Sequence, residues 1–549
     1  MKNDISRRGL WLVLLAVVVI WFGNLEYRKL IRPDEGRYAE IPREMVVSGD
    51  WTTPRLNELK YFEKPPLQYW ATAVAYEVFG EHQWTSRIWT ALTGFAGILL
   101  AWFAGARLFG REAGIYAALL LGSSMLYTMM AHINTLDMGV TFFITLGIFS
   151  LLLAQKEEHD AQQRNWMLLA WAALALSVLS KGLMGLVLPG AALFLYSIFN
   201  RDIRIWKRMH WIGGLLVFFL IATPWFVLVM RDNPEFFHFF FIHEHLERFT
   251  TKVHGRFQPW YYFVPILLLG MLPWTALMFD ALLRSWRGSV QKAREFSAER
   301  FLLVWTVFIY VFFSISDSKL PSYLLPMFPP LALLMGKQLA EMNARRLFWL
   351  TVPVLVVVAV LLGVIPFAVK IAADTPLQHQ MYGNYSVWLL VAAVLWLVGT
   401  VAALWSLRLD RKMAAVIVLA FSSLAASQLA TSGYNTIAPE RSSYILADAI
   451  RPLIKPGVPF YSVFCYEQTL PFYLKRTFTL VDFQDEMAFG IEMEPERWIP
   501  TADQLAKRWS IQKDAYAIVP TPLLHILQEQ GMPMKEIYRD EQYVVVSKP

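Results

Sequence analysis

Only one cysteine, Cys465, occurs in the 549 residues, which excludes an internal disulfide and any cysteine-rich metal site. Its place in a strand-like run reads as a small buried hydrophobe. Charge is almost as scarce. Charged residues make up 17% of the chain and hydrophobic ones 56%, against roughly 25% and 45–50% in soluble domains. A soluble globular protein is thereby excluded and an integral membrane protein implied. There is no internal repeat, and no A-x-A-like cleavage site follows the apolar run 9–23 behind Lys2, Arg7 and Arg8. That run reads as an uncleaved first span with a cytoplasmic N-terminus. The net charge of +7 lies largely in short connections and needs no nucleic acid partner. The apolar runs carry almost none of the mid-span charge that a transporter or flippase would require.

At ~20 apolar residues per span, thirteen helices are expected: 9–26, 84–106, 112–131, 138–155, 166–180, 183–200, 211–230, 260–282, 301–316, 322–337, 347–372, 385–407 and 413–431. With the N-terminus inside, it and the connections 106–112, 155–165, 200–210, 283–300, 336–346 and 407–412 carry 22 Lys and Arg. That is the asymmetry the positive-inside rule asks of cytoplasmic loops. The opposite face then receives the first loop (26–83), HINTLD (132–137), SKG (180–182), the segment 231–260, SDSKLP (316–321) and everything after Ser432. From Tyr434 onward, helix-like stretches (441–454, 501–510, 522–530) alternate with β-rich runs (460–464, 477–481, 515–519, 543–547). They predict a small α/β domain, 433–549, outside a membrane domain, 1–432.

The first loop breaks the charge rule. It holds eight cations (Arg28, Lys29, Arg32, Arg37, Arg43, Arg55, Lys60 and Lys64) interleaved with acids. Cations on the outward face imply an anionic counterpart, either the loop's own acids or phosphates. Within RPDEGRYAEIPREMVVSGDW, Pro33-Asp34 looks like a helix start, and Tyr38, Ile41 and Met45 recur at helical spacing. An amphipathic helix along the membrane surface is expected, with Asp34 as an N-cap or beside an anion-binding helix end. Farther on, YFEKPPLQYW sets Glu63 and Lys64 on a stiff turn, two prolines limiting the backbone. A snorkelling lysine would not need the adjacent acid.

Other outward residues are weaker candidates. Asp137 follows the HINTL turn, and Lys181 lies in SKGLMG. The segment 231–260 carries His243, His245 and Arg248 among phenylalanines that suit an interface belt. His243 and His245 fall on different helix faces, so a zinc site would need Glu63 to complete it in space. Lys319 and Tyr323, four apart at a span mouth, could clamp a phosphate.

Taken together, RPDEGRYAEIPREMVVSGDW, YFEKPPLQYW, SKG and SDSKLPSYLLP resemble the GT-C membrane glycosyltransferases, and within them the bacterial lipid A aminoarabinose transferases, kin of the protein O-mannosyltransferases. The resemblance spans the chain. It implies an all-α polytopic GT-C fold with a catalytic first outer loop and a soluble periplasmic α/β domain. It also implies a monomer in the bacterial inner membrane, a sugar donor on undecaprenyl phosphate, a lipid A phosphate acceptor and polymyxin resistance. Asp34, with Glu63 and Asp137, would then be catalytic. Arg37, Tyr38, Tyr61, Lys64, Arg248, Lys319 and Tyr323 would hold the phosphates and sugar. No cofactor is expected beyond the possible zinc at Glu63, His243 and His245. A related transferase moving another polyprenyl-linked sugar to lipopolysaccharide core or protein shares these motifs.

Overall fold

The computed structural model describes residues 7–201, 203–247, 258–289 and 296–549. Its contacts divide the chain into two compact units, Met1–Tyr27 with Arg87–Thr436, and Arg28–Ser86 with Ile437–Pro549. The sequence suggested a single boundary near residue 432. The loop following the first helix instead packs with the C-terminal residues.

The first unit is helical. Seven helices among the described residues are long and apolar enough to cross a membrane: Gln83–Phe109, Asp137–Lys156, Trp211–Asp232, Ala298–Ile315, Ala344–Ala368, Pro376–Arg408 and Lys412–Arg441. The pair Phe263–Gly270 and Thr275–Arg287 would make an eighth, bent by 105°. Helix occupies part of every range expected from the sequence, but several are short or broken. Arg111–Ser123 ends at an extended Ser124 before Met125–Met130. Range 322–337 begins as the 3-10 turn Pro321–Met327 and becomes α-helical only at Phe328. Its prolines cannot donate the bonds that a continuous helix needs. Close packing uses small residues. A Cβ on Gly336 would lie 2.5 Å from the Ala113 carbonyl oxygen, so helix Phe328–Glu341 sits directly on Arg111–Ser123.

The second unit is built on two sheets. A hairpin joins β1 (Arg55–Leu56) to β2 (Leu59–Lys60). The larger sheet contains β3 (Phe460–Val463), β4 (Thr479–Val481), β5 (Trp498–Ile499), β6 (Tyr516–Pro520), β7 (Lys535–Arg539) and β8 (Tyr543–Ser547), in the order β5-β4-β3-β6-β8-β7. The β5-β4-β3-β6 half is parallel, and β8 and β7 add antiparallel. Parallel strands are usually covered on both faces, and these are. Tyr461, Val463, Ala517 and Val519 face one core with Trp509, while Phe460, Tyr516 and Ile518 face another with Leu446 and Ile450. The four strands expected from β-rich runs are present. β5 and β7 carried too little apolar alternation to be seen, β7 being an edge strand with exposed charges.

Candidate active site

The helix Asp34–Ser48 begins behind Pro33, so Asp34 is its first residue and not its cap. Eleven consecutive residues, Glu35 to Met45, are buried. The sequence suggested one apolar face on the membrane surface. In the fold the polar side is enclosed as well, where Gln468 and Thr469 of the C-terminal part press against it. Gly36 makes this possible: a Cβ there would come 2.6 Å from the Gln468 carbonyl carbon and oxygen and 2.8 Å from the Thr469 nitrogen.

Burying a charged helix requires that each charge be paired. Arg43 binds both oxygens of Glu40, Nε to Oε2 at 2.7 Å and Nη2 to Oε1 at 2.5 Å. Glu44 accepts the backbone N–H groups of Asn57 at 2.5 Å and Glu58 at 2.7 Å. These two residues form the hairpin turn and have φ values of 55° and 65°, the left-handed pair that a two-residue hairpin demands. Asn57 in turn exchanges two hydrogen bonds with the Phe478 backbone, at 2.7 and 2.8 Å. Arg55 reaches both oxygens of Glu494 at 2.9 and 3.0 Å. Burial beside Glu40 pushes the Glu44 carboxyl up to about 8, against the pull of those N–H groups and Arg43.

Arg37 is the centre of the site. Its Nη2 donates to Asp34, its Nη1 donates to Glu486 and, at 2.9 Å, to the Tyr61 hydroxyl. Its guanidinium also faces the rings of Tyr38, 5.2 Å away, and Tyr61, 5.9 Å away. Burial opposes its charge, but the surrounding Tyr61, Tyr38, Glu486 and Asp34 overcome that and hold the guanidinium well above its ordinary value. Burial, with Asp34 and Glu63 adding to it, raises the Tyr38 phenol; burial and Glu63 raise that of Tyr61. Both remain neutral, and the Tyr61 hydroxyl accepts from Arg37. The Asp34 side chain is 40% exposed while that of Arg37 is 7% exposed. The acid faces outward and the cation that holds it lies behind. Lys64 donates to the Glu63 carbonyl at 2.6 Å, and its ammonium lies 3.8 Å from the Glu63 carboxylate.

Asp137 and Tyr323 meet in the helical unit through a residue the sequence offered only as part of SKG. Asp137 opens the helix Asp137–Lys156 and pairs with Lys181, the last residue of Asp160–Lys181. The Lys181 ammonium stands 5.1 Å from the Tyr323 ring centre. Lys319 does not join Tyr323; it donates to the carbonyls of Ser316 and Gln258, the latter at 2.8 Å. His243 lies in the π-helix His238–Glu247 and stacks on Phe239, centroids 5.4 Å apart. Arg248 and the side chain of His245 lie outside the described residues. Among the described residues no three His, Cys, Asp or Glu come together as metal ligands. Cys465 is buried, its thiol pushed up to about 12 by burial.

Residues 63–227 match a family model described as dolichyl-phosphate-mannose-protein mannosyltransferase. Residues 446–548 match the aminoarabinose transferase C-terminal domain. An undecaprenyl phosphate-alpha-4-amino-4-deoxy-L-arabinose arabinosyl transferase from Aeromonas hydrophila is 31% identical over 406 residues, 72% of this chain and 71% of that protein. The chain belongs to this arabinosyl transferase family. A relative of the same description from Edwardsiella ictaluri is 33% identical over 340 residues, 61% of this chain and 60% of its own length. The alignment with such relatives thus spans about 60% of the Edwardsiella protein. Structural similarity reaches further. The crystal structure of ArnT from Cupriavidus metallidurans bound to undecaprenyl phosphate superposes with a TM-score of 0.93 at 36% identity, covering 99% of this chain and 98% of that one. The archaeal oligosaccharyltransferase AglB from Archaeoglobus fulgidus, at 12% identity and a TM-score of 0.51, shares the fold alone. The chain is thus a multi-pass GT-C membrane protein, as its motifs suggested.

Geometry separates the candidate residues into two groups. Asp34, Arg37, Tyr38, Tyr61 and Glu63 form one charged constellation in the second unit, with Lys64 on Glu63. Asp137 and Tyr323 form another in the first through Lys181. Glu486 was invisible in the sequence, where it is one acid among several in a domain without a readable motif.

Proposed function

We propose that this chain transfers 4-amino-4-deoxy-L-arabinose from undecaprenyl phosphate to a lipid A phosphate at the periplasmic face of the bacterial inner membrane. The product lowers the anionic charge of lipopolysaccharide and confers resistance to polymyxin. The reading is carried by one observation, the half-exposed Asp34 held by the buried Arg37 in a chain of this transferase family.

The chemistry is a displacement at the anomeric carbon. The bond from that carbon to the undecaprenyl phosphate oxygen breaks, and one to a lipid A phosphate oxygen forms, with inversion. A phosphate monoester with a pKa of ~6 is already largely ionised at neutral pH, so a general base has little to remove. Asp34 instead stabilises positive charge developing on the sugar or orients its amino group. Lys64, on its stiff turn, meets the charge of the departing lipid phosphate, a contribution often worth several kcal/mol. The buried Arg37 acts through Asp34 and Tyr61, to which it donates. The protein acts as a monomer, with its N-terminus cytoplasmic.

The test is a reconstituted assay with undecaprenyl phosphate-aminoarabinose and lipid A, read by the mass of the product. Wild type adds one aminoarabinose, and Asp34→Asn loses at least about a hundredfold in rate. Full transfer by Asp34→Asn would remove the role assigned to this acid. Unchanged lipid A mass in a deletion strain, with activity on another polyprenyl-linked sugar, would replace the substrate.

A further inference from the structure

The C-terminal part of the chain has no motif that suggests chemistry, yet it supplies one of the two carboxylates on Arg37. Glu486, in the 3-10 turn Asp485–Met487, accepts from Arg37 Nη1 through Oε2. Its other oxygen, Oε1, accepts from Gln468 Nε2 at 2.9 Å. The backbone of that same Gln468 rests on Gly36, where no side chain fits. Two contacts of independent origin therefore bring one segment of the C-terminal part to the first turn of the helix carrying Asp34. One is steric, at Gly36, and the other ionic, at Arg37.

The division of the guanidinium between two acids has a chemical consequence. Asp34 and Glu486 are both bound to Arg37, one at each terminal nitrogen, and Tyr61 shares Nη1. The Glu486 side chain is only 11% exposed, so its charge cannot be replaced by solvent. While Glu486 is ionised, Arg37 is not left to Asp34 alone, and the Asp34 carboxylate keeps negative charge for a substrate. Without Glu486 the arginine would become a dedicated partner of Asp34 and would quench it.

We propose that Glu486 is a positioning residue of the transfer site: it fixes Arg37 from the C-terminal part of the chain and thereby sets the orientation and strength of the Asp34 carboxylate. This inference rests on the proposed transfer reaction, and deepens it by assigning the C-terminal part a share in the site. The groups facing Arg37 and Asp34 are Tyr38, Tyr61, Tyr69, Glu63 and Glu486, with Asp485 beyond Glu486.

The experiment compares full-length wild type with Glu486→Gln, Glu486→Asp and Gln468→Ala in the reconstituted assay, across pH. Glu486→Gln keeps shape and loses charge. It is expected to lower kcat about tenfold while changing donor KM less than about threefold. The acidic limb of its rate profile should move to lower pH, because the Glu486 carboxyl, which burial holds above its ordinary range, is no longer there to titrate. Glu486→Asp should restore the wild-type limb at least in part. A merely structural role would lower activity at all pH values without moving the limb. Wild-type kcat and profile in Glu486→Gln would overturn the proposal, as would a loss of rate with an unmoved limb. Should Glu486→Gln fail to fold, Gln468→Ala decides, since it alters no charge and removes a donor to the Glu486 carboxylate: a smaller fall in kcat with the acidic limb moved to higher pH supports the proposal, and unchanged kinetics or an unmoved limb overturn it. Failure of wild type itself to transfer the sugar would overturn the proposed reaction and not this assignment alone.

Discussion

Replacing Gly36 by alanine tests the clamp on the acid-bearing helix most directly. The new Cβ would meet Gln468 C and O at 2.6 Å and Thr469 N at 2.8 Å. All three atoms are backbone, so no side chain can swing away. Either residues 467–469 or the first helical turn must retreat. Overpacking of this kind typically costs about 1–3 kcal/mol, offset by up to about 1 kcal/mol from the better helix propensity of alanine. A net loss of about 1–2 kcal/mol is expected, lowering the melting midpoint by about 2–4 °C per kcal/mol for a unit of this size. Gly383, within helix Pro376–Arg408, is the matched control, having nothing within 4 Å of its virtual Cβ. Gly383→Ala should be neutral or stabilising by up to about 1 kcal/mol. Thermal unfolding of the purified protein in lipid nanodiscs, with transfer measured on the same samples, provides the readout. Transfer by Gly36→Ala should fall at temperatures where the protein is still folded, because Asp34 and Arg37 flank the substituted position. A Gly36→Ala protein that melts with or above wild type and transfers normally would refute the close approach.

Two further outcomes follow from the hairpin. Glu44 titrates near 4.5 when unfolded and about 8 when folded; between those values the folded state holds the extra proton. Its contribution is fully present below pH 4.5 and is lost as pH rises through about 8, with a slope of at most about 1.4 kcal/mol per pH unit. Melting midpoints of wild type should therefore fall from pH 5 to 9 more steeply than those of Glu44→Gln, and parallel curves would contradict the assignment. Asn57→Ala strips the Phe478 N–H and carbonyl of their partners and leaves alanine at a φ of 55°. A loss of about 2–4 kcal/mol is expected, read as a drop in melting temperature; a shift under one degree would show the joint to be dispensable.

Much of the candidate site could be read from sequence because the signals are local. Charge packed between apolar runs marked 26–83, and the P-D-E-G-R run marked a helix start at Asp34. Tyr61, Glu63 and Lys64 stood out through the adjacent prolines. Lys181 was visible as part of SKG, but its pairing with Asp137 and Tyr323 was not. Four-residue spacing suggested Lys319 for Tyr323, yet the extended backbone at Leu320 ends any common helical face. Glu486 gave no signal at all, since it lies 449 residues from Arg37.

Residue order alone determined that the chain is an integral membrane protein, that eight cations share the loop 26–83 with acids, and that a β-rich segment follows residue 434. Those properties follow from hydropathy, charge and period, which act over a few turns of chain. Tertiary structure decided what surrounds the charges. Only in the folded chain does Glu486 meet Arg37, and only there does the backbone of Gln468 come to rest on Gly36. A buried ion must find its counterion wherever packing brings one, and no local pattern encodes that distance.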